Sequence, residues 1–64
     1  MPKVTIQLFD GRTVDQKRLL CQKVTDAVVE SLGVRPEAVS IILQDMKPED
    51  YSHGGILRYD ELHK

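Results

Sequence analysis

The chain has one cysteine, no tryptophan and only three aromatic residues, Phe9, Tyr51 and Tyr59, among 64 residues. A lone Cys21 cannot form an internal disulfide, so the staple that holds together many very small domains is missing. Charge of one sign is lacking too: 9 basic residues stand against 10 acidic ones, a formal net charge of −1. Without a basic patch or a run of like charges, the chain does not read as a nucleic-acid binder. Long apolar runs are equally absent, the longest being Val39 to Leu43 with Ser40 inside it, far short of the ~18 residues of a membrane span. The opening Met-Pro-Lys-Val-Thr-Ile-Gln is no hydrophobic leader. These absences lead to the expectation of a soluble, cytoplasmic protein of one domain, residues 1–64, without nucleic-acid or membrane partners. A chain of this size buries only about 60% of its unfolded surface, so self-association is expected to complete its core.

What is present is a clear order of elements. Val4, Ile6 and Leu8 alternate with Lys3, Thr5, Gln7 and Phe9, the period-two pattern of a half-buried strand. Asp10-Gly11 ends it. Thr13 with Gln16 three residues later makes a capping box, and Leu20, Val24, Ala27, Val28 and Leu32 then recur at spacings of three and four, predicting one apolar helix face over 13–32. Gly33 and Pro36 stop that helix. Ala38 to Gln44 is rich in β-branched residues between Pro36 and Pro48 and predicts a second strand. Strand, helix and strand form a βαβ unit, α/β in class, with parallel strands and a right-handed crossover. Met46 to Lys64 is polar and carries Pro48 and Gly54-Gly55, which predicts loop, a short hairpin at the glycines, and a tail.

Familiar chemical motifs are missing. Cys21, His53 and His63 have no metal-ligand spacing, Cys21 falls mid-helix where nothing activates a thiol, and Gly11 stands alone without a phosphate-cradling pattern. No metal or cofactor is therefore expected. The extreme N-terminus is different. Pro2 follows the initiator Met and leads into a strand; removal of Met1 would expose a secondary amine. Terminal α-amino groups titrate near 7.7–8.0 in reference peptides, and burial beside a cation lowers that value, which makes such an amine a competent general base.

Together, Pro2, the strand Val4 to Leu8, the turn Asp10-Gly11-Arg12-Thr13, the helix start Asp15-Gln16-Lys17, the hydrophobic second strand, Met46, and Tyr51 ahead of Gly54-Gly55 resemble the 4-oxalocrotonate tautomerase family over nearly the whole chain. The resemblance implies a cofactor-independent keto–enol tautomerase acting on 2-hydroxy-dienoates or related enolised 2-oxo acids, with Pro2 as base and then acid. It implies that Arg12 binds a substrate carboxylate from a neighbouring subunit and that Tyr51 and Phe9 shape an apolar pocket. Dimers with a four-stranded sheet, three of them forming a hexamer, are implied as well. One position departs: where the family has a second arginine, at the start of the second strand, this chain has Ser40. A hydroxyl does not replace a charged bidentate fork, and Arg35, Arg58 or His53 is left to compensate. A catalytically weak or inactive oligomer of the same fold is the alternative. Dehalogenation is disfavoured because Glu49 and Asp50 have no adjacent arginine pair.

Overall fold

The computed structural model describes residues 1–63. Strand β1, Lys3–Phe9, follows the alternation in the sequence, with Val4, Ile6 and Leu8 half-buried and Lys3, Thr5 and Gln7 exposed. Helix α1 spans Val14–Leu32. Thr13 is its N-cap: the Gln16 N–H donates to Thr13 Oγ1 at 3.1 Å and the Thr13 N–H donates to Gln16 Oε1 at 2.9 Å. Both halves of the expected capping box are therefore made. At the other end Gly33 takes φ 68° and its N–H donates to Val29 O at 2.9 Å, a left-handed cap that a side chain would strain.

Strand β2 runs Ser40–Met46, two residues later than the expected 38–44. The cause is local. Pro36 opens a 3₁₀ turn, Pro36–Ala38, in which the Ala38 N–H bonds Arg35 O at 2.9 Å and the Val39 N–H bonds Pro36 O at 3.1 Å, so these groups are spent before the ladder begins. β1 and β2 pair in parallel, Lys3 opposite Ser40 through Phe9 opposite Met46. Along this register Val4 and Ile6 meet Ile41 and Leu43, while Leu8 meets Asp45. Asp45 reaches Lys17 Nζ on α1 at 2.8 Å, which identifies this as the face that α1 covers. The opposite face carries the Gln7 Nε2 to Gln44 Oε1 hydrogen bond of 2.9 Å and Ile42, 51% exposed.

Beyond β2 a second 3₁₀ turn, Pro48–Asp50, leads into a hairpin of β3, Ser52–His53, and β4, Ile56–Leu57. Its two-residue turn has Gly54 at φ 60° and Gly55 at φ 80°, both positive as a primed hairpin turn requires and glycine permits. The hairpin is as expected, but the tail is not. Residues Arg58–Leu62 form a short helix, α2, whose Arg58, Glu61 spacing of three suits one helix face; the polar composition concealed it.

Among the described residues no hydrophobic side chain is buried. Leu20, Val24 and Val28 are half-buried as the helix periodicity predicts, whereas Ala27 and Leu32 are exposed. Length explains Leu32: a 19-residue helix extends about 28 Å, roughly one turn beyond the ~23 Å of a seven-residue strand. The radius of gyration is 15.2 Å and the extents are 47 × 25 × 13 Å, against about 11 Å for a compact 64-residue domain. Its accessible surface of 5122 Å² likewise exceeds the ~4,200 Å² of a globular monomer of this mass. The βαβ layer, one long helix over two strands, has no buried interior among the described residues.

Candidate functional site

Pro2 is half-buried immediately before β1, and its carbonyl accepts a 3.0 Å hydrogen bond from the Ser40 N–H. The strand ladder thus fixes Ser40 beside the proline end. Ser40 is half-buried and stands opposite Lys3. Met1, by contrast, is 93% exposed, so the fold makes little use of it.

Phe9, Arg12 and Tyr51 gather at the far end of β1. Asp10 continues the ladder with an N–H to Met46 O bond of 3.0 Å, and Arg12 turns back so that its Nη1 donates to Phe9 O at 3.1 Å. The Tyr51 ring meets the Phe9 ring edge-to-face, centroids 5.3 Å apart at 87°, a favoured aromatic geometry. Because the hairpin reverses the chain, β4 returns alongside Tyr51, whose carbonyl accepts the Arg58 N–H at 2.9 Å. The Arg58 guanidinium then lies 5.8 Å from the Phe9 ring centroid, within cation–π range. His53 stacks on Tyr51 at 6.0 Å, and its Nε2 lies 3.2 Å from Glu61 Oε1, the same carboxylate oxygen that stands 3.8 Å from Arg58 Nη1.

The candidate residues therefore form two groups. Pro2 and Ser40 occupy one end, and Phe9, Arg12 and Tyr51 the other, separated by the seven residues of β1, or about 23 Å. No single chain brings them together. Of the three residues left to compensate for Ser40, Arg58 and His53 join the Phe9 group, while Arg35 is 87% exposed and paired with Glu37 at 3.5 Å. Glu61, which links His53 to Arg58, is the residue that reading the C-terminal stretch as a tail missed. Among the described residues no three His, Cys, Asp or Glu side chains are placed to hold a metal ion. Cys21 is a free, half-buried thiol on α1. A concavity of about 630 Å³ beside it, lined by Val14, Lys17, Thr25 and Pro36, includes none of the candidate residues. No described helix is long and apolar enough to cross a membrane.

A βαβ unit followed by a short C-terminal hairpin is the tautomerase fold. Residues 2–57 match the family described as tautomerase enzyme. A probable tautomerase of Listeria monocytogenes serotype 4b is 45% identical over 60 residues, covering 94% of this chain and 98% of that one. The 2-hydroxymuconate tautomerase of Bacillus subtilis is 40% identical over 55 residues, 86% and 89% of the respective chains. Among solved structures, a 4-oxalocrotonate tautomerase isozyme of Methylibium petroleiphilum superimposes with a TM-score of 0.91 at 35% identity, covering 97% of each chain. The chain belongs to the tautomerase family and is an isomerase.

Proposed function

We propose that this chain is a cofactor-independent keto–enol tautomerase of 2-hydroxy-dienoates or related enolised 2-oxo acids, with the amine of Pro2 as general acid and base. Once Met1 is removed, the secondary amine takes the enol proton and the resulting ammonium returns a proton to a carbon of the conjugated system, so the amine ends unchanged. Arg12 anchors a substrate carboxylate, and Phe9 and Tyr51 keep water from the amine. The exposure of Met1, 93%, supports its removal without loss of packing.

The division of the candidate residues between opposite ends of β1 carries the mechanism's most specific requirement. Among the described residues β1 pairs with β2 on one edge only, which leaves the other edge for a partner. Two-fold, antiparallel pairing of β1 with its twin gives a four-stranded sheet and sets the Pro2 end of one chain beside the Phe9 and Arg12 end of the other. The absence of any buried hydrophobic residue among those described favours such pairing, and the apolar surface still open on the layer favours further assembly to a hexamer. A cytoplasmic location completes the proposal, in keeping with the free thiol of Cys21.

The competing reading, a tautomerase-fold oligomer that binds but does not turn over, is favoured by Ser40. Intact-mass measurement combined with assays on 2-hydroxymuconate, a 2-hydroxypentadienoate and phenylenolpyruvate separates the two. The tautomerase reading expects a mass short by one methionine and a pH–rate limb set by the proline amine. Retained Met1 with undiminished turnover would overturn the proline mechanism; retained Met1 without turnover would favour the non-catalytic reading.

A further inference from the structure

Two guanidinium groups converge on Phe9, and only Arg12 has so far been given a task. Arg58 lies one residue past the stretch that matches the family, residues 2–57. Its backbone is fixed by the bond from its N–H to Tyr51 O, 2.9 Å. Its side chain, 42% exposed, is held over the Phe9 ring at 5.8 Å. The nearest carboxylate satisfies it poorly: Glu61 Oε1 is 3.8 Å from Nη1 and is also engaged with His53 at 3.2 Å. Nor does α2 call for a cation here, because Arg58 is its first residue and the first turn of a helix favours acids. A half-desolvated, underused guanidinium on the wall of an aromatic pair is a ready site for an incoming carboxylate, which it can grip through two parallel N–H bonds.

We propose that Arg58 is the second carboxylate anchor of the site, so that Arg12 and Arg58 together select conjugated dicarboxylates over monocarboxylates. The inference rests on the tautomerase reading of this end of β1. It assigns to the C-terminal segment the charge that Ser40, with one hydroxyl, does not supply. Of the other residues considered for that task, Arg35 is committed to Glu37 in solvent and His53 to Glu61.

The test is binding without chemistry, on the assembled protein. trans,trans-Muconate and sorbate share a six-carbon diene and differ in having two carboxylates or one; neither has an enol to turn over. Titration calorimetry of wild type and Arg58→Ala is expected to show muconate weakened about tenfold, or about 1.4 kcal/mol, and sorbate changed less than about twofold. Arg58→Lys is expected to recover only part of the loss, since it restores charge but not the fork. Equal weakening of both ligands would mark a merely structural role and overturn the proposal, as would unchanged muconate binding or muconate failing to bind the wild type. Should Arg58→Ala not assemble, Arg58→Gln keeps the stem over Phe9 and is read by the same outcomes. A wild type that binds muconate through Arg58 yet turns over no enol would sink the tautomerase proposal and leave this one standing.

Discussion

The two ends of β1 are built by different means. The Pro2 end is simple: a backbone ladder, a carbonyl bonded to the Ser40 N–H at 3.0 Å, and little side-chain chemistry beyond the proline and a serine. The Phe9 end is assembled from four separate stretches, with Arg12 from the turn into α1, Tyr51 from the loop after β2, and Arg58 and Glu61 from α2. One end holds the candidate base, the other the candidate cations and aromatic walls. A short strand that keeps them ~23 Å apart within a chain can unite them only between chains. Under the proposed mechanism catalysis and assembly are then one requirement, and a single chain would not complete the site.

The largest expected effect breaks the Pro2 end. Pro2→Ala should lower turnover of enolised 2-oxo acids by about 10²-fold or more, the scale of general acid–base catalysis, with circular dichroism and assembly size unchanged. Arg12→Ala should lower kcat/KM on the order of 10²-fold, through the carboxylate anchor at the other end. The comparison itself is then tested by mixing. If each site takes Pro2 from one chain and Arg12 from its partner, a mixed pair of the two variants contains one intact site and one doubly damaged site. Random re-association of equal amounts should restore about a quarter of wild-type activity. Recovery of nothing above the separate variants would mean that both residues act from the same chain.

What is legible in the sequence at either end of β1 is what has local determinants. Alternation at Val4, Ile6 and Leu8 depends on the pleat alone, and the Thr13, Gln16 box on one helical turn. The start of β2 lies two residues beyond the sequence expectation because a 3₁₀ turn at Pro36 takes up the head of the same stretch. Arg58 shows the harder limit. Its place over Phe9, 49 positions earlier in the sequence, depends on a chain reversal at Gly54-Gly55 and on where the returning strand lies. Periodicity carries no information about either. Tyr51 is legible only through the resemblance to the tautomerase family, and its edge-to-face contact with Phe9 is a tertiary one that no local pattern encodes.

A smaller effect sharpens the comparison from the Pro2 side. Ser40→Arg places a fixed charge where the backbone already lies within hydrogen-bond reach of Pro2. It should raise turnover of 2-hydroxymuconate more than that of phenylenolpyruvate, by several-fold, because only the dicarboxylate has a second anionic end to receive it. Equal effects on the two substrates would show that the position does not face the ligand.

The smallest effect belongs to the turn that leaves the Phe9 end. Thr13 caps α1 directly after Arg12, and its Oγ1 holds the Gln16 N–H at 3.1 Å while Gln16 answers at 2.9 Å. Thr13→Ala removes one half of that reciprocal pair and should destabilise the protein by about 1 kcal/mol, read from thermal unfolding at fixed chain concentration because assembly contributes to stability. Thr13→Ser keeps the hydroxyl and should behave nearly as wild type. The cap orients the turn that carries Arg12 but lies a full strand length from Pro2. Thr13→Ala should therefore raise KM by a few-fold at most and leave the proline-dependent limb of the pH–rate profile where it was. A shift in that limb, with KM unchanged, would mean that the cap acts on the proline end, and the separation of roles along β1 would fail.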